Sequence, residues 1–213
     1  LQPDSAPVAW KLAEALLLCG FGAEARAQLA TLELSAPGDA RLLTALAGLY
    51  ANAGAQQERL RCAQRALALA PEEPVLLASS AAAETSCGLI PEAERHLDQL
   101  LARKPQDYGS YYRRSILRRQ QPEQNHVAEL TRLLANLPAD SADSVPLCYA
   151  LAKECEDLGR FDESFTHLQH GAARRRRGLS YQVISDETAM RAISDAFDAR
   201  RRSRLGAPPS SCR

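Results

Sequence analysis

The chain has 213 residues, 46% of them apolar and 24% charged, with 26 basic side chains against 26 acidic ones, a balance that fits a folded globular protein and excludes a disordered or fibrous one. No apolar run approaches the roughly 20 residues that cross a bilayer, and the opening "LQPDSAP" lacks the basic and apolar regions of a secretory leader. No membrane partner is therefore expected, and a cytoplasmic location is. The neutral total hides an asymmetry: residues 171–213 hold ten Arg against four acids, and residues 1–170 hold sixteen basic against twenty-two acidic side chains. Six cysteines at 19, 62, 87, 148, 155 and 212 form no Cys-x-x-Cys pair, so they read as reduced thiols, mostly small core fillers.

Taken from the N-terminus, the chain is punctuated by prolines. Pro3, Pro37, Pro71 and Pro105 each follow a helical run and each stands 34 residues after the one before. Residues 1–5 read as the end of a preceding repeat. The unit at 6–39 supplies Leu12, Ala13, Leu16, Gly20, Ala25, Leu29 and Pro37; the unit at 40–73 supplies Leu46, Ala47, Tyr50, Gly54, Ala63, Ala66 and Pro71, with Arg59 at a position that is small elsewhere; the unit at 74–107 supplies Ala81, Gly88, Ala93, Leu97 and Pro105. The unit at 108–144 is degenerate, keeping Tyr111 and Leu134 but carrying Pro122 where the glycine should stand. After a three-residue slip, the unit at 145–178 restores Leu151, Ala152, Gly159, Phe161, Ser164 and Leu168. A 34-residue period of two antiparallel helices, a small residue at their crossing and a glycine between them resembles the tetratricopeptide repeat, TPR. The fold expected is all-α: a TPR-type right-handed superhelix of about five helix pairs, in which each unit buries the apolar stripe of its neighbour.

Beyond residue 178, "SDETAMRAISDAF" predicts a capping helix over 185–204, with Ser185 as N-cap, an apolar stripe of Ala189, Met190, Ile193, Ala196 and Phe197, and Arg200–Arg204 favouring the negative helix end. That stripe suits packing over the last repeat. Residues 205–213, with Gly206, Pro208 and Pro209, read as a linker.

No phosphate loop, nucleophile elbow or His-Glu-x-x-His motif occurs. Accordingly no enzyme activity, catalytic residue, metal or cofactor is expected of this chain. His167 and His170 lack a third ligand, and Glu154, Glu156 and Asp157 read as a solvated face. The runs "ARRRRG" and "ARRRSR" carry no interleaved aromatics and lie at helix C-termini, which disfavours nucleic acid and suits a protein partner. The concave face of such a superhelix is formed by the first helix of each unit. The register places Trp10, Glu14, Asn52, Tyr112, Arg113, Arg119, Tyr149 and Lys153 there as a candidate groove for a protein or extended peptide. Trp10, Glu14 and Ala45 stand where a carboxylate-clamp groove would place Lys and Asn. Self-association into a homo-oligomer is compatible with this reading.

The segment running from "NHVAEL" through "YALAKECEDLGRFDESFTHLQHGAARRRR" to the "SDETAMRAISDAF" helix resembles the region before the catalytic domain of bacterial TPR sulfotransferases. That resemblance implies a parent enzyme using a 5′-phosphosulfate donor. Its catalytic domain, with a Gly-x-Pro-Arg-Ser/Thr-Gly-Thr loop, would follow residue 213 and is missing here, so this chain would be the substrate-recruiting or oligomerising arm. The alternative is a free-standing TPR adaptor that assembles other proteins.

Overall fold

A computed structural model describes residues 6–35, 38–138 and 141–197. Among them the backbone is helical throughout, apart from turns and one isolated bridge between Gln121 and Gln124. The helices are α1 (Ala6–Leu18), α2 (Gly22–Ser35), α3 (Ala40–Asn52), α4 (Gln56–Leu69), α5 (Pro74–Ser86), α6 (Ile90–Arg103), α7 (Tyr108–Ser115), α8 (Val127–Ala135), α9 (Ser144–Asp157), α10 (Phe161–Arg177) and α11 (Val183–Ala196). The odd-numbered helices α1 to α9 are the first helices of the five units, and the even-numbered helices α2 to α10 are the second.

The chain reversal inside units one, two, three and five is made by Gly20, Gly54, Gly88 and Gly159, all at φ between 69° and 82°, a region that costs any residue with a Cβ. In each case the following amide closes a six-residue loop onto the helix just left. Ala55 N–H donates to Tyr50 O at 2.9 Å, and Leu89 N–H to Glu84 O at 2.9 Å, the Schellman arrangement that satisfies carbonyls at a helix end. Helix starts are equally local. Asp39 Oδ1 accepts the amides of Arg41 and Leu42, and Pro74 and Pro91 open α5 and α6, where a missing N–H costs nothing.

The helices of a pair close on small residues. Ala25 and Ala93 are fully buried, and the Ser164 hydroxyl donates to Ala152 O at 2.7 Å, tying α10 to α9. Arg59, the exception, turns sideways and donates to Ser86 Oγ of the next unit at 2.9 Å. Gly171 faces the side chains of Cys148 and Tyr149, which would lie 3.1 Å from an added Cβ. The core is a row of leucines and alanines. Leu29, Leu43, Leu46 and Tyr50 anchor one stretch, and Leu101, Tyr111, Leu130, Leu147 and Leu151 another, each side chain contributing about 1.5–3 kcal/mol of burial. Cys62, Cys148 and Cys155 join this core, Cys19 is exposed and Cys87 is half-buried. Burial pushes the Cys62 thiol up to about 12. Pro3, Pro37 and Cys212 lie outside the described residues.

Residues from 175 onward form a unit of their own. Its helix α11 is capped by Gln182, three residues before the expected N-cap Ser185. Tyr181 OH donates to Asp186 Oδ2 at 2.6 Å. No residue of α11 is buried, and Met190, Ile193 and Phe197 stand exposed. Arg200–Arg204 and the linker at 205–213 lie outside the described residues. No helix among the described residues is long and apolar enough to cross a membrane.

Candidate functional site

Unit four is where the repeat departs from its pattern, and the groove residues cluster there. Its first helix, α7, is 8 residues long, against 13 or 14 for α1, α3, α5 and α9. Without a glycine, the chain leaves α7 at Ile116 and runs to His126 before α8 begins. That loop is held by three side chains of one turn of α9. Glu154, fully buried, accepts from Ser115 Oγ at 2.5 Å, from the His126 amide at 2.6 Å and from His126 Nδ1 at 3.0 Å. Asp157 Oδ2 accepts the Gln120 amide at 2.8 Å. Lys153 Nζ donates to both the Arg118 carbonyl and Asp157. The expectation of a solvated acidic face at 154–157 is therefore corrected at Glu154 and Asp157, while Glu156 is exposed. Burial alone would raise the pKa of Glu154, yet the hydrogen bonds from the His126 ring, the Ser115 hydroxyl and the His126 amide bring it below the ordinary carboxylate value.

The four arginines of "YYRRSILRR" divide two and two. Arg114 is buried between Asp98 and Glu129, with its guanidinium 5.3 Å from the centre of the Tyr111 ring. Arg118 donates to Glu94 through two nitrogens, bridging to α6. Both are structural. Arg113 and Arg119 are exposed, and neither meets a carboxylate among the described residues. Beside Arg113 opens a cavity of about 200 Å³. Ala78, Ala81 and Ala82 of α5 and Leu97 of α6 form its floor, and Ile116 and Leu117 its wall. The alanines leave the space, and the early end of α7 delivers the wall.

The other expected groove residues fall into separate places. Tyr112 and Tyr149 meet at 6.4 Å between ring centres, tilted by 58°, which joins the faces of α7 and α9. Trp10 Nε1 donates to Glu14 Oε1 at 2.8 Å, and Lys11 pairs with the same carboxylate. Glu14 and Asn52 line one cleft between α1 and α3. Lys153 turns inward to the loop. A further cleft of about 550 Å³ is lined by Ala40, Thr44 and Ala45 of α3 and Val75 and Leu76 of α5, on the first helices of units two and three, where small side chains leave room. His167 is half-buried, and burial, with His170 beside it, lowers its pKa. Among the described residues no three metal-binding side chains converge.

Buried acids were the main features hidden in the sequence. Glu33 of α2 accepts from Arg61 at 2.8 Å, Arg65 at 2.5 Å and Tyr50 OH at 3.3 Å, and the Arg61 hydrogen bond holds its pKa down against burial. Glu84 meets His96 Nδ1 at 2.8 Å inside unit three. The register contains the signal: Glu33, Glu84 and Glu154 stand at unit positions 28, 11 and 10, where other units have Leu67 and Leu101, Leu16 and Tyr50, and Leu49 and Ala83 respectively.

No family model matches the chain, nor does any curated protein sequence. Solved structures do. The chain is similar to a Podosopora anserina putative kinesin light chain with nearly identical TPR-like repeats, at 20% identity and a TM-score of 0.64, over 84% of this chain and 100% of that one. It is similar to the MamA protein at 11% identity and a TM-score of 0.60, over 83% and 95% of the two chains. A tetratricopeptide repeat protein from Parabacteroides merdae aligns at 18% identity with a TM-score of 0.59, over 81% of this chain and 67% of that one. With the helix pairs, the glycine turns and these likenesses together, the fold is a TPR-like helical-repeat solenoid.

Proposed function

We propose that this chain is a protein-binding scaffold whose ligand is an extended acidic peptide, received on the first-helix face of units three to five. The observation that carries this reading is the apolar cavity floored by Ala78, Ala81 and Ala82 with an exposed, carboxylate-free Arg113 at its edge. An apolar side chain of the peptide fills the cavity, its carboxylates meet Arg113 and Arg119, and its backbone or an aromatic residue lies along Tyr112 and Tyr149. Aromatic and guanidinium groups of this kind carry most of the affinity at protein interfaces. Trp10, Glu14 and Asn52 extend the surface toward unit one. Replacing Tyr112, Arg113 and Arg119 together by Ala should weaken such a peptide at least about thirtyfold, about 2 kcal/mol, with melting nearly unchanged. Equal binding by parent and triple variant overturns the assignment, and so does unfolding of the variant.

The finer reading is that the scaffold is the recruiting or oligomerising arm of a sulfotransferase, supported by the likeness of the segment from Asn125 to the α11 helix. On that reading this chain alone performs no chemistry, binds no sulfuryl donor and works in the cytoplasm; the runner-up remains a free-standing adaptor. Sequencing the coding region past Arg213 separates them. A Gly-x-Pro-Arg-Ser/Thr-Gly-Thr loop supports the arm, and a stop codon removes it. Micromolar binding of the phosphosulfate donor to the 213-residue chain would contradict both.

A further inference from the structure

The first helices have a second opening besides the cavity at Arg113. It is the cleft of about 550 Å³ between α3 and α5, more than twice the volume of that cavity. Its walls are small or apolar. Thr44 spends its hydroxyl on the Ala40 carbonyl at 2.7 Å, so the α3 wall keeps no free donor there. On α5, Leu76 is 6% exposed whereas its neighbour Val75 is 57% exposed, one apolar side chain buried in the stack and the next left open. Charge stands only at the rim. Arg41 marks the α3 edge and Glu73 the α5 edge; both are exposed, and neither meets an opposite charge among the described residues. Glu73 caps α5 through its backbone, and its carboxylate makes no capping hydrogen bond. An apolar pocket of some hundreds of cubic ångströms with a few polar groups at its edge has the form of a ligand site.

We infer that this cleft is the second anchor site of the peptide received beside Arg113, an inference that rests on the function proposed above. It takes a large apolar side chain flanked by one acidic and one basic residue. The acid pairs with Arg41 and the base with Glu73. The placement of the two sites sets the spacing of the two anchors. On α5 the cleft is lined at Val75 and Leu76, and the cavity around Ala81 and Ala82, six residues and about 9 Å further along the helix. The cleft opens toward α3 and the cavity toward α7, one helix spacing apart, about 8–10 Å. Together these displacements span about 13 Å, the length of about four residues of extended chain. Residues four apart in an extended chain also point to the same side. Anchors two apart, spanning about 7 Å, fall short, and anchors six apart, spanning about 20 Å, overshoot.

Calorimetry of the full chain with synthetic extended peptides tests this. One peptide carries a single Phe among Asp and Glu; the others add a second Phe two, four or six positions away, with Glu and Lys as its neighbours in either order. The peptide with anchors four apart should bind at least tenfold more tightly than the one-anchor peptide. Ala45→Phe, an exposed substitution that fills the cleft, should remove this gain and leave one-anchor binding unchanged. Glu73→Lys should move the preferred neighbour from Lys to Glu, which a merely structural role would not do. One-anchor binding with no gain at any spacing overturns the inference and leaves the acidic-peptide function standing. No binding by any of the peptides overturns both. A gain that is equal at all three spacings, or that survives Ala45→Phe, overturns the inference as well. So does an affinity that falls as the chain concentration rises, the mark of a second copy in the cleft.

Discussion

In unit three the two helices are joined by three residues, Cys87 to Leu89, and the reversal rests on Gly88 alone, whereas in unit four the chain leaves α7 at Ser115 and runs through residues 116–126 before α8 begins. The first solution is backbone conformation. The second is a buried polar anchorage, in which Lys153, Glu154 and Asp157 of the following unit hold the loop by its amides and carbonyls. Losing the glycine therefore does not break the stack, but it makes the loop between the two helices of unit four depend on side chains of unit five for its backbone hydrogen bonds. The same shortening of α7 turns Ile116 and Leu117 toward α5 and opens the cavity beside Arg113. The irregularity and the candidate site have one cause.

The sharpest way to break this comparison is at Glu154. Glu154→Ala leaves an amide, a hydroxyl and an imidazole without their acceptor and should cost about 3 kcal/mol or more. Residues 116–126 should lose hydrogen-exchange protection while units one to three keep theirs. Glu154→Gln, which keeps the shape, should cost visibly less. Next in size is Gly171→Val: its added atoms meet Cys148 and Tyr149 where even a Cβ would sit at 3.1 Å, an overpacking worth about 1–3 kcal/mol by urea denaturation. Gly88→Ala should cost about 1–2 kcal/mol because φ there is 75° although the space is open. That penalty has no counterpart anywhere in the loop of unit four.

The smallest effect is one of pH. Glu33 and Glu154 have native pKa values below their ordinary ones, so the unfolded chain binds protons more readily than the folded one as acid is added. Their contribution is fully present above about pH 4.3, the unfolded value, and is lost as pH falls through the lower native values. Acid titration of the melting temperature should therefore fall more steeply for the parent than for Glu33→Gln.

The sequence shows the period, the glycine turns and the small crossing residues because each is a local requirement repeated every 34 residues. It also places Tyr112 and Arg113 on the first-helix face. What it conceals is which charges are spent internally. Arg114 and Arg118 look like Arg113 and Arg119 in the string "YYRRSILRR", and only the approach of Asp98, Glu129 and Glu94 removes the first pair from the surface. Lys153 is hidden likewise, since its partner, the Arg118 carbonyl, exists only after the loop has docked. The cavity depends on where α7 ends, which propensity does not fix, because Ser115 and Ile116 could continue a helix. The buried acids were accessible through register, as polar residues at positions that are apolar in sibling units.

The central claim, that the first-helix face of units three to five receives an acidic extended peptide, is tested most directly by a hydrogen-exchange footprint. The probe is a library of extended peptides carrying Asp or Glu around one apolar or aromatic residue, pooled on the parent chain and compared with the Tyr112, Arg113 and Arg119 triple alanine variant. Selected peptides should protect α5, α7 and α9 in the parent and bind the variant at least about thirtyfold more weakly. Protection confined to the second helices, or equal binding to parent and variant, would contradict the account.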